Sequence, residues 1–374
     1  MKVLIVTGIF PPDSGGPANY VPAFAQQLAR EHQVVGVVTL SDRLDHDDNG
    51  YNFPVVRIAR AGNKISRRLW TIVTIARLLR RADVVYLNGL VLEGVIAARM
   101  IRRRPVVIKV VGDLIWEQAR NQGATDLDID AFQRLGSKPL IWRALRSLQS
   151  TYMRASDYVI TPSKYLAGIV AGWGVAPDRI RVVLNAVRPP PDDPGYEPEF
   201  DIVTVARLVP WKGIDRLIDV CSDYGWSLLI VGDGPQRSSL EAHAIAKGIR
   251  VRFEGEVPKE RVAMNIRRAQ VFVLNSSYEG LPHIVLEAKL AGRPVVATCV
   301  GGTPETIHDM VDGYLVAPKD NAQLAAVLTR LLGDARHRAM ISEAGLRDVR
   351  ARFSFDVMYR DTIEVLEAAI KGRD

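Results

Sequence analysis

Short runs of apolar, β-favouring residues alternate with amphipathic stretches along almost the whole chain. This alternation constrains the fold more than any other feature. The runs Lys2–Thr7, Val34–Thr39, Val55–Arg57, Val84–Leu87, Val106–Val110, Tyr158–Thr161 and Ile180–Val183 are continuously apolar rather than alternating in polarity. Strands of that kind must be covered on both faces, which is the condition of a parallel sheet wrapped by helices. The stretches between them, such as Asn19–Glu31 and Leu90–Arg102, carry the helical spacing that supplies the cover.

The pattern stops at Asn185. Segment 186–198, AVRPPPDDPGYEP, contains five prolines. Each proline removes a backbone donor and restricts the residue before it, so the segment reads as a linker. Alternation resumes with Asp201–Val205, Ser227–Val231, Val251–Glu254, Val271–Asn275 and Pro294–Ala297, and closes with helical patterns over Ala322–Leu332 and Asp356–Lys371. The expected architecture is α/β, with doubly wound domains at 1–185 and 199–355, the linker 186–198 between them, and a ligand cleft where they meet. The 374 residues suffice for two such domains. The two cysteines, Cys221 and Cys299, have no CxxC neighbour. That argues against a disulfide scaffold or a zinc cluster and for a reducing, cytoplasmic setting. The opening apolar run, soon followed by Pro11 and Pro12, reads as a first strand rather than a leader. No apolar run is long enough to span a bilayer.

The net charge of +7 is unevenly placed. Residues 1–188 hold 26 basic against 15 acidic side chains, and residues 57–104 hold twelve basic against only Asp83 and Glu93. Within that stretch, Lys64–Arg81 sorts into a polar face of Lys64, Arg67, Arg68, Thr71, Thr74, Arg77 and Arg81. The opposite face holds Leu69, Ile72, Val73, Ile75, Ala76 and Leu79, with Trp70 near the boundary. Two readings stay open: a basic amphipathic helix lying at a membrane surface, or a surface helix that buries its apolar side in the core and leaves arginines outside, where they alone meet an anionic partner such as a membrane face. Nucleic acid is not the expected partner, because neither interleaved aromatics nor a recognised module accompanies the charge.

Four segments carry candidate chemistry. The first strand leads into Gly15-Gly16 and then a helix, a start that allows close backbone approach to an anion but lacks the GxGxxG dinucleotide fingerprint. After the first strand of the second half comes Ala206-Arg207-Leu-Val-Pro-Trp-Lys212-Gly213, whose two cations are placed to converge on a diphosphate. Next is Ser276-Ser-Tyr-Glu279-Gly280-Leu281-Pro282-His283-Ile284-Val-Leu-Glu287-Ala288. Pro282 fits the first turn of a helix there, Glu279 sits in the loop before it, and Glu287 lies about one turn inside. A loop carboxylate suits sugar hydroxyls, a second suits a ribose diol, and the helix start suits a phosphate between them. Gly301-Gly302-Thr303 is a further loop of the same kind.

Taken in order, Gly15-Gly16, Ala206-Arg207…Lys212-Gly213, Val231-Gly-Asp-Gly234-Pro, Glu279-Gly…Glu287-Ala…Gly292-Arg-Pro-Val-Val-Ala and Gly301-Gly302…Glu305 resemble family 4 of the glycosyltransferases over nearly the whole chain. The resemblance implies a GT-B architecture, two Rossmann-like domains facing across a cleft, with the helix near 356–371 crossing back onto the first. It implies a retaining, metal-independent transferase that uses a nucleotide sugar, UDP- or GDP-linked, and no other cofactor. By the same analogy Arg207 and Lys212 hold the diphosphate, Glu279 the donor sugar and Glu287 the ribose. Backbone around Leu281, Pro282, His283 and Ile284 serves phosphate and sugar, Gly234 belongs to the donor loops, and Glu256-Val257-Pro258 brackets the base. Gly15 and Gly16 approach the donor phosphate or the acceptor. From its charge, the basic first half is the expected acceptor side, and the expected acceptor is a glycan or lipid-linked glycan of bacterial-type cell-surface polysaccharide or glycolipid synthesis, met at the inner membrane face.

One departure stands out. Gly112, in Lys109-Val-Val-Gly112-Asp113-Leu-Ile-Trp116-Glu117, occupies the place where many family members carry a histidine. Asp113 remains and is expected to orient an acceptor hydroxyl, with Glu117 nearby. Asp126-Leu-Asp128-Ile-Asp130 has the DxD spacing of metal-dependent transferases but lacks the glycine and glutamate of a calcium loop, and reads as an acidic loop. Rival readings are a sugar epimerase or phosphorylase on a related fold, and a non-catalytic membrane-bound scaffold.

Overall fold

The computed structural model describes residues 1–13, 15–125, 127–134, 140–189 and 197–372. The chain divides into two compact units. The first comprises Met1–Pro162, Leu166–Val183 and Tyr359–Asp374, and the second Ser163–Tyr165 and Leu184–Met358. Of the proline-rich segment, residues 190–196 lie outside the described part. Val187, before them, is buried and donates its N–H to the Phe353 carbonyl at 3.0 Å.

The first unit is built on β1 (Lys2–Thr7), β2 (Gln33–Ser41), β3 (Val55–Ala59), β4 (Val84–Asn88), β5 (Val106–Lys109), β6 (Tyr158–Thr161) and β7 (Ile180–Val182). These form one parallel sheet in the order β3-β2-β1-β4-β5-β6-β7. Val3, Leu4, Ile5 and Val6 are all fully buried, so the central strand is covered on both faces, as its unbroken apolar run requires. The connecting helices are α1 (Gly16–Glu31), α2 (Lys64–Leu78), α3 (Val91–Ile96, continued by a π-helical turn, Ala97–Arg102), α4 (Leu114–Asn121), α5 (Ile129–Arg134), α6 (Leu140–Arg154) and α7 (Lys164–Gly172). The connections β3→β4, β4→β5 and β5→β6 all advance in one direction along the sheet. Right-handed crossovers therefore put α2, α3 and α4–α6 on one face, and α1 on the other.

The second unit contains β8 (Phe200–Val205), α8 (Ile214–Tyr224), β9 (Leu228–Val231), α9 (Arg237–Lys247), β10 (Val251–Gly255), α10 (Lys259–Arg267), β11 (Ala269–Leu274), α11 (His283–Leu290), β12 (Val295–Thr298), β13 (Tyr314–Val316), α12 (Asn321–Gly333) and α13 (Ala335–Arg352). Its parallel sheet runs β10-β9-β8-β11-β12-β13. Successive residues feed opposite cores. Ile202, Leu228 and Val271 pack with Leu217 and Leu328 of α8 and α12, whereas Val203, Leu229 and Phe272 pack with Ile266, Val285 and Ala288 of α10 and α11. The last helix, α14 (Phe355–Lys371), begins in the second unit and from Tyr359 onward belongs to the first. Strand order reverses at β1/β4 and at β8/β11, the topological switch points where open α/β sheets bind ligands.

Three local expectations are corrected. The helix expected over 64–81 ends at Leu78, and its inward face is not the apolar set read from the periodicity: Thr71, Ile75, Ala76 and Leu79 are buried, while Leu69, Trp70 and Val73 are exposed. Only the C-terminal half of α2 packs on the body of the unit. Thr71 is accommodated there because its hydroxyl donates to the Arg67 carbonyl at 2.8 Å. The single helix expected over Leu90–Arg102 starts from a left-handed Leu90 (φ 50°) and changes pitch at Ala97. The short strand Tyr314–Val316 and the long helix Ala335–Arg352 were not legible. The helix carries Gly345 in its interior, where a Cβ would come within 3.1 Å of the Asp312 carbonyl oxygen.

Candidate active site

The loops that follow β8 and β11 are stitched together by backbone and side-chain hydrogen bonds. β8 runs through Arg207 into a 3-10 turn, Pro210–Lys212, and reaches Gly213 at φ 61° before α8 begins. A side chain at 213 would be strained, and its Cβ would lie 2.4 Å from the Asn275 carbonyl oxygen. Asn275 Nδ2 donates to the Gly213 carbonyl at 2.9 Å, and the Ser277 N–H donates to the Trp211 carbonyl at 2.7 Å. This stitching sets Lys212 against Glu279, with Nζ 2.5 Å from Oε1 and both side chains mostly buried.

Glu279 is fixed from its other side as well. The Gly302 N–H donates to the Glu279 carbonyl at 2.9 Å. A Cβ at Gly301 would meet the Glu279 carbonyl oxygen at 2.0 Å, and one at Gly302 the Gly280 carbonyl oxygen at 1.9 Å. Ser163 Oγ donates to the same Gly280 carbonyl at 3.0 Å, and the Glu305 carboxylate accepts from the N–H groups of Lys164 (2.7 Å) and Tyr165 (2.9 Å), all within the second unit. The loop after β9 closes similarly. A Cβ at Gly234 would lie 2.5 Å from the Leu208 carbonyl oxygen, and the Leu208 N–H donates to the Asp233 carbonyl at 2.9 Å.

Around this clamp the other candidates differ in state. Arg207 is exposed, and its guanidinium has no partner among the described residues. Leu281 and Pro282 are buried, and Ile284 is half-buried. Pro282 is the cap of α11 rather than a residue of its first turn, and no side chain caps that end, so it is open to an anion. His283 is exposed, with Nε2 2.9 Å from Asn185 Nδ2. Glu287 is partly buried and its carboxylate makes no hydrogen bond among the described residues; burial raises its carboxyl pKa, with Lys259 pulling the other way. Val257 packs at the edge of the α10/α11 core.

In the first unit, Gly15 (φ 139°) precedes α1, whose N-terminus has no side-chain cap, and Gly16 faces open space. Asp113 requires a correction. It was expected to orient an acceptor hydroxyl, but it is completely buried and its oxygens are occupied. Oδ1 caps α4 by accepting from the N–H groups of Ile115 (3.1 Å) and Trp116 (3.4 Å), and Oδ2 accepts from Gln133 Nε2 and Arg146 Nη2, each at 2.6 Å. Asp113 is a helix cap and ion-pair hub. Its neighbour Glu117 is exposed as a whole, but its carboxyl turns in beside Gly112. A Cβ at Gly112 would lie 2.5 Å from Glu117 Oε1, so the absent side chain at 112 leaves room for that carboxyl, whose pKa is raised by burial and by Asp113. Lys109 is buried with no hydrogen-bond partner for Nζ, which lies 4.0 Å from the centre of the Tyr20 ring. Burial lowers its pKa to about 7. Several basic residues of 57–104 are spoken for: Arg57 pairs with Asp48, Arg60 with Asp13 and Asp42, Arg68 with Glu93, and Arg99 with Asp157.

Two groups suggest a cation on paper. Asp126 lies outside the described residues, and Asp128 is a helix cap, accepting from the Ala131 N–H at 2.7 Å. His308, Asp312 and Asp348 cluster, but Lys289 Nζ already lies 2.8 Å from Asp312 and 3.3 Å from Asp348, and Arg352 lies 2.6 Å from Asp348. That cluster is a neutralised ion-pair network. The supporting residues Asn275, Ser277 and Ser163 escaped the sequence reading. The signal available for the first two was a polar pair directly after an apolar strand.

The chain is an α/β protein of two units, each built on a parallel sheet with a switch point, and the loops described above lie largely in the second unit. The comparisons agree. Residues 14–189 match the model described as Glycosyltransferase Family 4, and residues 192–348 the model described as Glycosyl transferases group 1. The chain belongs to family 4 of the glycosyltransferases, of the GT-B fold class. It is 26% identical to an uncharacterised glycosyltransferase of Methanocaldococcus jannaschii over 99% of each chain. It is 27% identical, over 92% of each chain, to a GDP-mannose-dependent alpha-(1-6)-phosphatidylinositol monomannoside mannosyltransferase of Mycolicibacterium smegmatis. Among solved structures, Anabaena HepE in complex with UDP superposes with a TM-score of 0.76 at 19% identity, covering 98% of this chain and 100% of that one; HepE has also been solved with UDP-glucose.

Proposed function

We propose that the enzyme transfers a sugar, with retention and without a metal, from a UDP- or GDP-linked donor held in the second unit to a glycan or lipid-linked acceptor served by the first. The observation that carries this reading is the Lys212–Glu279 pair, clamped between two strand ends by contacts only glycine permits. A cation and a carboxylate held together in this way present both groups a nucleotide sugar needs. Lys212 and Arg207, whose guanidinium has no partner among the described residues, take the diphosphate, whose charge grows as the bond to the sugar breaks, and Glu279, released from the pair, accepts from sugar hydroxyls. Glu287 accepts from the ribose diol, the open start of α11 serves a phosphate, and Val257 and Gly234 flank the base. The departing phosphate takes the acceptor proton. In the first unit, Gly15 and Gly16 give a phosphate or acceptor access to the backbone. The mannosyltransferase relative, named for a GDP donor and a lipid acceptor, and HepE with UDP-glucose support the donor and acceptor classes. Among the described residues no helix is long and apolar enough to cross a membrane; a peripheral site on the inner face, met through 57–104, fits that and the charge.

Thermal unfolding with UDP, GDP, UDP-glucose and GDP-mannose identifies the donor: a ligand at a hundred times its Kd adds about 2.7 kcal/mol. With that donor, Arg207→Ala and Lys212→Ala should each lower kcat by about a hundredfold or more. Near-normal turnover by either refutes the diphosphate role, an inverted product anomer refutes retention, and activity abolished by EDTA and restored by a divalent ion refutes the metal-free reading.

A further inference from the structure

The second unit carries a pocket at the end of its sheet opposite the donor loops. Glu197 and Pro198 lead into β8, Gln270 stands near the start of β11, and Arg293 follows α11 just before β12, so the pocket lies at the N-terminal edge of the strands. The loops that hold Lys212 and Glu279 leave from the C-terminal ends of β8 and β11. Arg338 of α13 completes the lining, and the space measures about 280 Å³. That is close to the smallest volumes typical of small-molecule sites.

Its two guanidinium groups are held by uncharged acceptors. Arg293 Nη2 donates to the Arg267 carbonyl at 2.6 Å, and Arg338 Nη1 donates to the Leu331 and Leu332 carbonyls at 2.7 and 2.9 Å. Among the described residues neither arginine has a carboxylate within ion-pair distance, and Arg293 Nε is buried with no hydrogen-bond partner. Burial, then repulsion by Arg267 and Arg338, lower the Arg293 pKa, with Glu197 pulling the other way. Two cations fixed by backbone carbonyls keep their charge and their orientation, which suits a dianion. The other polar groups are acceptors. Gln270 turns Nε2 to Asp201 Oδ1 at 3.0 Å, which leaves its carbonyl oxygen as an acceptor, and Glu197 is exposed and makes no ion pair among the described residues. Glu197 repels a bare phosphate but accepts from a hydroxyl, so the lining matches a ligand with phosphate at one end and hydroxyls along its body.

We propose that this pocket is a second ligand site, which binds a phosphorylated sugar through Arg293 and Arg338 at the phosphate and through Gln270 and Glu197 at the hydroxyls. No residue assigned to the sugar donor lines it, so its ligand is a separate molecule from the donor. The site does not depend on the transfer reaction proposed above.

The test is titration calorimetry of the full chain, with thermal unfolding beside it, against glucose 6-phosphate, ribose 5-phosphate, glucose and inorganic phosphate. No donor or acceptor is present, so the outcome is independent of the transfer assay. At least one sugar phosphate should bind about tenfold or more tightly than inorganic phosphate or glucose. Arg293→Met and Arg338→Met should each weaken that binding about tenfold or more. Glu197→Gln should weaken the sugar phosphate about threefold or more while inorganic phosphate binds as well or better. Glu197 is exposed, so this arm does not depend on the arginine variants folding. Binding should persist in Arg207→Ala/Lys212→Ala, which removes the two cations of the donor loops. Absence of binding by both sugar phosphates, inorganic phosphate binding equally tightly (an adventitious ion only), loss of binding in Arg207→Ala/Lys212→Ala, or unchanged sugar-phosphate binding by Glu197→Gln would each overturn the proposal.

Discussion

At the level of single residues, what decides a role is what each charged group already holds. Asp113 and Glu287 are both carboxylates in promising motifs. Asp113 is saturated by two amides, Gln133 and Arg146, whereas the Glu287 carboxylate is unbonded among the described residues and partly desolvated. A carboxyl whose pKa is raised on folding disfavours the fold when ionised, yet it must be ionised to accept from a diol without donating. Donor affinity should therefore weaken as pH falls through the raised Glu287 pKa, at a higher pH than an ordinary glutamate would give. Glu287→Gln should bind donor more weakly with a flattened pH dependence, while its melting temperature stays level or rises; calorimetry at several pH values reads both. Lys109 offers a second case. Its folded pKa of about 7 lies below the unfolded value, so between pH 7 and the usual lysine range the unfolded chain holds the extra proton and stability rises with pH. Lys109→Met should remove that rise and stabilise the protein at pH 7 by roughly 1–3 kcal/mol, as denaturant melts at pH 7 and 9 would show.

Elements were legible to differing degrees. Among the described residues, every strand but the short β13 was read to within two residues at each end, because a doubly covered strand writes an unbroken apolar run. The periodicity of α2 gave a helix but the wrong inward face, since the position of α3 and the sheet, not the helix itself, selects which side is covered. The glycine loops were recognised as motifs, but not the contacts they permit. Gly302→Ala puts a Cβ 1.9 Å from the Gly280 carbonyl oxygen and must push the Glu279 loop outward. The expected outcome is a loss of about 1–3 kcal/mol in stability and a fall in kcat of about a hundredfold. Gly16→Ala, in open space, should leave stability unchanged. Parallel unfolding and turnover measurements on the two variants separate these effects.

The whole molecule adds a connection that no local pattern reveals. The last helix starts in the second unit and finishes in the core of the first, where Tyr359 donates to Glu31 Oε2 at 3.0 Å, meets the Phe24 ring at 5.5 Å in a tilted contact, and is followed by the buried Thr362, Leu366 and Ala369. Each large apolar side chain buried there contributes about 1.5–3 kcal/mol. A chain ending at Met358 should lose most of the first unit's stability, read as rapid proteolysis within residues 1–183 while residues 184–358 resist. Equal resistance of both regions would contradict the shared core.

The sequence by itself determined the two parallel sheets, the order of the loops and the family, because strand burial and glycine turns are imposed by residues near one another in the chain. Only the tertiary structure decided which charges are free and which apolar residues face solvent. Arg146, far along the chain, consumes Asp113; Glu117 fills the space beside Gly112; and the partial seating of α2 and α6 leaves Trp70, Leu69 and Ile141 outside. Ion pairing and exposure depend on neighbours brought together by folding, so a local pattern can nominate a side chain for a role but cannot show whether that side chain is free to perform it.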